Sequence, residues 1–267
     1  MKRPLLSLLA GLALTLAALP ANAACPTIIS QSPFITYALE WMGLGECIVG
    51  VSRFDRREDL PRTGGLVDPD ADIIALLDPK LMITSNWTNA AKWQAMAPAG
   101  ATALRVDGFK GTDDMEDALR RIGRAAGVAD IDARVERFAA EWRAAAAKVN
   151  GGQRRAVVMT ACSGAPYSFG RGTTLYQIFS RAGLQVVADH DGIRNFRPDG
   201  PPDELPKWLD GIKPEIIFAL KNSRDEACNA SLVRADTMIV PLDGDRFTHP
   251  GPRILLGLEQ LREALAP

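Results

Sequence analysis

The side chains best suited to chemistry in this 267-residue chain are aromatic, and they fall at the ends of predicted strands. They are Phe34, Phe54, Trp87, Tyr167, Phe169, Phe196 and Phe247. Aromatic faces bury a large area at little entropic cost, so a group of them suits a flat, bulky ligand. Each ring could instead pack its own loop onto the fold. Together they predict a binding surface.

Charged and ionisable side chains form a second set of candidates. Arginines that could bind carboxylate, phosphate or catecholate oxygens through paired hydrogen bonds are Arg53, Arg171 and Arg224. Solvated surface charge is the default interpretation for each of them. His190 lies in Asp189-His190-Asp191-Gly192, which is typical of an exposed loop, and His249 follows the predicted site residue Phe247 by two positions.

No established catalytic motif is found in the sequence. Ser163-Gly164-Ala165 is not a nucleophile elbow, because Ala161 and Cys162 precede the serine. The acidic segment 68–72 lacks the glycine and the distal glutamate of a calcium loop. We therefore predict no catalytic residue, no metal-ligating residue and no enzyme. The alternatives are an exported hydrolase that pairs Ser163 with a histidine, and an adhesion module.

The first 23 residues are typical of a signal peptide. Lys2 and Arg3 precede an apolar run over 5–19, which is shorter than the roughly 20 residues of a membrane span, and Ala21-Asn22-Ala23 is a cleavage site. A lipoprotein signal ending at Cys25 is the alternative, although Asn22 stands where such a signal has an aliphatic residue. We predict a periplasmic product. The near-balanced 31 basic and 32 acidic residues, without a basic stripe, argue against a nucleic-acid partner.

The four cysteines indicate disulfides in an oxidising compartment. They are Cys25, Cys47, Cys162 and Cys228, and they contain no C-x-x-C pair that would favour zinc. Four cysteines allow three pairings. If each half of the chain closes its own loop, the pairs are Cys25–Cys47 and Cys162–Cys228.

Apolar runs alternate with helical patterns along the whole chain, which predicts an α/β fold with mostly parallel sheets. The predicted strands are 27–30, 48–52, 81–84, 102–106, 156–160, 185–187, 216–220 and 237–241. A helix over 130–149, about 30 Å long, divides them. The predicted organisation is a signal peptide (1–23), a first lobe (24–129), one long rigid connecting helix (130–150) and a second lobe (151–267).

The two halves share a weak internal repeat. Segment 74–83 matches segment 209–218, and in both a helix runs through x-Pro-x into a buried strand. Two such lobes, facing each other with the carboxyl ends of their strands, form a cleft between them. We predict that the ligand binds in this cleft.

The chain resembles the periplasmic binding proteins of ABC importers for iron–siderophores, heme and vitamin B12, with the vitamin B12-binding branch nearest. The resemblance covers essentially all of the chain after residue 23. The segments that carry it are Tyr37-Ala38-Leu39, Val49-Gly50-Val51-Ser52, Ile74-Ala75-Leu76, Leu81-Met82-Ile83, Pro166-Tyr167-Ser168-Phe169-Gly170 and Pro252-Arg253-Ile254-Leu255-Leu256. Their order and spacing are more specific than any one of them.

The resemblance implies that a monomer captures one metal chelate and delivers it to a membrane permease. A corrinoid ranks first, then a ferric siderophore, then heme, whose iron His249 or Tyr167 could ligate axially, and last a bare metal or oxyanion. Aromatic residues of the vitamin B12-binding branch match Phe54, Tyr167 and Phe247, and His249 matches a ligand contact. Two departures weaken cobalamin as the ligand: Gly64-Gly65 replaces an aromatic residue, and Trp87 is shifted by about two residues.

The resemblance also implies one acidic residue on each lobe that docks onto permease arginines. In the first lobe this residue is Asp72. In the second lobe the matching position is Lys207, which is a departure from the family pattern. Asp203 or Glu204 substitutes for it if the helix begins earlier, and Glu204 is the predicted docking residue.

Overall fold

A computed structural model describes residues 25–160, 165–197, 199–221, 232 and 235–266. The predicted signal peptide lies outside the described residues. Strands β1 (Ile28–Ser30), β2 (Ile48–Val51), β3 (Leu81–Ser85) and β4 (Thr102–Val106) form a parallel sheet in the order β2-β1-β3-β4. Helices α1 (Pro33–Trp41), α2 (Ala71–Leu77), α3 (Ala90–Ala95) and α4 (Thr112–Ala125) belong to this first lobe.

Helix α5 (Ile131–Ala147) follows and packs against both halves of the chain. Its 17 residues make it about 25 Å long. The indole Nε1 of Trp142 donates to Glu116 Oε1 of α4 at 3.1 Å, and Arg143 Nη2 donates to the same oxygen at 2.7 Å. The predicted long helix is therefore present, and buried hydrogen bonds join it to the first lobe.

The second sheet contains β5 (Arg155–Thr160), β6 (Tyr167–Phe169), β7 (Gln185–Val186), β8 (Ile193–Asn195), β9 (Ile216–Lys221) and β10 (Met238–Asp243). Its order is β10-β9-β5-β6-β8, and β7 pairs with the start of β5. Strands β10, β9 and β5 are parallel, whereas β6 is antiparallel to both β5 and β8. Helices α6 (Thr174–Arg181), α7 (Glu204–Ile212), α8 (Gly244–Phe247) and α9 (Ile254–Ala264) complete this lobe.

The repeat seen in the sequence is a repeat of backbone geometry. Helix α2 ends at Asp78 (φ 40°) and leads through Pro79 into β3, while α7 ends at Lys213 (φ 46°) and leads through Pro214 into β9. In both lobes a left-handed residue stops the helix, as is common at helix ends. The predicted α/β fold with two sheets is confirmed.

Two strands, β6 and β8, are missing from the sequence-based assignment. Each has only three residues, which is too short for the alternation of polar and apolar side chains to stand out. The Cys25–Cys47 disulfide is formed, whereas Cys162 and Cys228 lie outside the described residues. No helix in the described ranges has the length and apolarity of a membrane span.

Candidate functional site

A cavity of about 560 Å³ opens between the two lobes. Six of the predicted site residues line it: Phe34, Phe54, Trp87, Tyr167, Phe169 and His249. They come from α1 and two loops of the first lobe, and from β6 and the loop after α8 in the second. The volume is in the range of small-molecule binding sites. Lobe packing therefore gathers into one site aromatic side chains that are distant in sequence.

Phe54 extends from the loop after β2 with 60% of its surface exposed. Buried polar contacts hold this loop in place. Thr36 Oγ1 donates to Asp55 Oδ2 at 2.5 Å, and the amide of Arg57 donates to Asp55 Oδ1 at 3.0 Å. Because its neighbour is anchored to α1, Phe54 presents an exposed ring from a fixed backbone, which lowers the entropic cost of binding.

Trp87 lies in the loop after β3 and is 57% exposed. The Arg105 guanidinium of β4 donates to the carbonyl oxygens of Asn86 (2.6 Å) and Thr88 (3.0 Å), the residues on either side of the tryptophan. Thr88 Oγ1 in turn donates to the carbonyl of Leu66, another cavity residue, at 2.6 Å. These bonds fix the backbone that carries the indole at the cavity wall.

The second-lobe wall is built on the short antiparallel strands. Side chains alternate along a strand, so Tyr167 and Phe169 share the cavity face of β6 while Ser168 points the opposite way. The two rings meet edge to face with centroids 5.4 Å apart. Burial raises the pKa of Tyr167, so its phenol stays neutral. Ile193 and Asn195 of β8 extend this wall.

His190 has a structural role rather than one in the cavity. Its Nε2 lies 2.5 Å from Oγ of the fully buried Ser168, and its ring lies 5.7 Å from that of Trp208. Burial lowers the pKa of His190. Ser168 is fully buried and His190 is partly buried, and neither residue lines the cavity. Ser163, the nucleophile of the hydrolase hypothesis, lies outside the described residues.

A buried carboxylate lies beside His249. Asp245, with only 4% of its side chain exposed, contacts the Tyr37 hydroxyl (3.0 Å), His249 Nε2 (3.3 Å), Arg56 Nη1 (3.4 Å) and Arg253 Nη2. Burial alone would raise the pKa of Asp245, but the hydrogen bond and charge of His249, the charge of Arg253 and the Tyr37 hydrogen bond outweigh it. The net pKa shift is downward, so the group is an anion at neutral pH. Burial and this anion raise the pKa of Tyr37 to about 12.

Four predicted site residues do not line the cavity, and one cannot be placed. Arg53 pairs with Asp68 at 2.5 Å, and Arg171 pairs with Asp191 at 2.8 Å, so both guanidinium groups are engaged away from the cavity. Arg224 lies outside the described residues.

Phe196 and Phe247 are packing residues, which corrects the prediction for both. Phe196 is 4% exposed and its ring packs at a tilt against that of Trp208, with centroids 5.0 Å apart. Phe247 is 2% exposed and lies 5.5 Å from the Phe179 ring, in the space left by the missing side chain of Gly257. Short helix α8 turns this ring into the core, so the neighbouring Thr248 and His249 reach the cavity instead.

The predicted docking residues lie in the first turns of equivalent helices. Asp72 is exposed on α2, whose N-terminus is capped by Asp70. Glu204 begins α7 and pairs with Arg194 at 3.1 Å. Their docking role stays a prediction.

Phe109 is a cavity residue that the sequence analysis missed. It follows β4 in the segment Gly108-Phe109-Lys110-Gly111, and its ring meets that of Phe34 edge to face at 5.4 Å. The signal available in the sequence was an aromatic residue between two glycines just after a predicted strand, and both glycines have positive φ in the structure. Over the described residues, no arginine, lysine or carboxylate lines the cavity, and no cluster of potential metal ligands is found.

Comparison with solved structures identifies the same fold in periplasmic binding proteins. The heme-binding protein RhuT from Roseiflexus sp. RS-1 is 20% identical, with a TM-score of 0.72 over 90% of this chain and 98% of that one. The vitamin B12 binding protein BtuF of Vibrio cholerae is 19% identical, with a TM-score of 0.68 over 90% and 96%. The siderophore binding protein BauB is 14% identical, with a TM-score of 0.65 over 90% and 93%. No family model and no curated protein sequence matches the chain.

Proposed function

We propose that this protein is the periplasmic solute-binding component of an ABC importer, and that it captures a flat metal chelate between its lobes. The observation that carries the proposal is the aromatic cavity between the lobes, with Phe54 and Trp87 on one side and Tyr167 on the other. Facing aromatic walls suit a flat ligand, because both of its faces can be covered. The fold shared with the heme-, vitamin B12- and siderophore-binding proteins supports the same proposal.

The cavity favours a tetrapyrrole-type chelate, either a corrinoid or heme, over a siderophore whose iron-binding oxygens carry the negative charge. Such oxygens are best bound by arginine, and the two candidate arginines that can be placed are paired with aspartates elsewhere. The polar groups that do line the cavity are those of neutral hydrogen-bonding residues such as Ser32, Asn195 and Thr248. Such groups suit the edge of a largely apolar disc.

Within that class, heme is supported by one specific observation. Tyr167 and His249 both line the cavity, and both residue types serve as axial ligands of heme iron. A corrinoid is supported by the closeness of the sequence motifs to the vitamin B12-binding branch. Both ligands belong in the same test.

The test is titration of the purified protein with cyanocobalamin, with hemin and with a ferric catecholate, each followed by absorbance and by co-elution in gel filtration. We expect saturation at one equivalent with one of the two tetrapyrroles, and elution of the complex as a monomer. Saturation by the ferric catecholate alone would overturn the choice of ligand class. A protein that binds none of the three would contradict the proposal.

Export and delivery belong to the same proposal. Cleavage after Ala23 should place the chain in the periplasmic fraction, which immunoblotting of fractionated cells checks.

Replacing Asp72 and Glu204 with alanine should reduce ligand uptake by cells and leave ligand binding in solution unchanged. Uptake at the wild-type rate in the double variant would contradict the docking role.

A further inference from the structure

We propose that Asp245 is a positioning residue that holds both walls of the cavity in one geometry. Its carboxylate belongs to the second lobe but contacts two groups of the first, the Tyr37 hydroxyl at 3.0 Å and Arg56 Nη1 at 3.4 Å. This inference rests on the proposed function only in treating the inter-lobe cavity as the ligand site.

Three of the four partners of Asp245 are cavity residues or lie within three residues of one in the chain. Tyr37 is one helical turn after Phe34 on α1, and Arg56 is two residues after Phe54. His249 lines the cavity and places its Nε2 3.3 Å from the carboxylate. A single buried anion is therefore tied to the elements that carry Phe34, Phe54 and His249.

The surroundings of Asp245 make the arrangement specific. Arg253 contacts the carboxylate, donates from Nε to the Asp245 carbonyl at 3.2 Å, and places its guanidinium 4.3 Å from the centre of the Tyr37 ring. The His249 ring packs against the same tyrosine at 5.4 Å. A buried anion is stable only when it is paired and hydrogen-bonded, so losing its charge leaves these partners without a common anchor.

A network that only stabilised the fold would predict a general loss of stability when it is broken. A positioning role predicts a local loss of order at the Phe54 loop, together with weaker ligand binding. The amides of Arg53, Asp55 and Arg57 are all hydrogen-bonded, so their hydrogen exchange reports on this loop without any ligand.

The experiment compares Asp245→Asn, Tyr37→Phe and the control Glu116→Gln. Glu116 is also a buried carboxylate that accepts from an arginine and an aromatic side chain, but it lies on α4 and is not a cavity residue. Exchange of residues 53–57 is measured on the free protein, and affinity is measured with cyanocobalamin and with hemin.

For Asp245→Asn we expect at least about tenfold weaker binding and faster hydrogen exchange at residues 53–57. The reason is that the substitution removes the charge from the hydrogen bonds of the carboxylate, and a charge-assisted hydrogen bond contributes roughly a factor of ten to an equilibrium constant. Tyr37→Phe removes one hydroxyl and should weaken binding about threefold, which keeps the test valid if Asp245→Asn fails to fold. Glu116→Gln should change neither the exchange at 53–57 nor the ligand affinity, although its melting temperature falls.

Unchanged exchange at 53–57 in both variants, or equal loss of affinity in the control, would overturn the positioning role. If the wild-type protein binds neither probe, the proposed ligand class fails while the exchange result still decides the role of Asp245.

Discussion

Replacing Trp87 with alanine should weaken ligand binding while leaving the fold almost as stable as before. The indole is 57% exposed at the cavity wall, so at least about 100 Å² of its area is open to a ligand. A ligand that covers about 60 Å² of it gains about 1.5 kcal/mol, which corresponds to a roughly tenfold lower dissociation constant. The hydrogen bonds that hold this loop involve the backbone of the neighbouring residues and not the indole. Removing the ring should therefore lower the free energy of unfolding by less than about 1 kcal/mol.

The assay is absorbance titration of Trp87→Ala with cyanocobalamin and hemin, alongside urea unfolding of the same sample. Phe54→Ala should behave in the same way, since its ring is 60% exposed on the same wall. Leu76→Ala is the matched control, because Leu76 is 80% exposed on α2 and does not line the cavity. Wild-type affinity in both aromatic variants would refute the assignment of this cavity as the ligand site. Equal losses in the leucine control would show that the effect is not local.

Three further measurements test features of the fold. Replacing Cys25 and Cys47 with alanine should lower the unfolding free energy by about 3 kcal/mol, since the bridge joins residues 22 apart; a urea midpoint that does not move would contradict this. Burial lowers the pKa of His190 in the folded protein, so as the pH falls the imidazole is protonated in the unfolded chain before it is protonated in the fold. The free energy of unfolding should therefore be highest above about pH 6.5 and decline as the pH falls toward the pKa of the folded state. His190→Gln should flatten this decline in thermal melts, and an equally steep decline in the variant would argue against it. Lys213→Gly should stabilise the protein by up to about 1 kcal/mol, because φ is 46° there and glycine has no β-carbon to strain; a lower urea midpoint would refute the strain argument.

The internal repeat shows how far local sequence reaches. Apolar runs bounded by turn residues predicted the parallel strands β1–β5, β7, β9 and β10, and the signal is clearest for β3 and β9, which are buried on both faces and therefore apolar at almost every position. The helix ends before Pro79 and Pro214 were visible for a similar reason, since proline cannot continue the interior of a helix. Strands β6 and β8 escaped this reasoning because three residues do not establish a period.

The candidate site was only partly predictable from sequence. Phe54, Trp87 and Tyr167 line the cavity, whereas Phe247, which was predicted from the same kind of loop position, lies in the core. Its direction depends on the four-residue helix α8 and on the space beside Gly257, which no local pattern reports.

Sequence by itself determined the α/β class, the long helix α5 and the repeated helix–proline–strand units, because these depend on contacts and backbone preferences within a few residues. Tertiary structure alone decided which rings face the cavity and which charges are paired. Tyr37 and Asp245 are 208 residues apart, and Arg171 and Asp191 are 20 apart, so their contacts exist only once the chain is packed. Side-chain direction and charge pairing are properties of neighbours in space, and a linear pattern does not contain them.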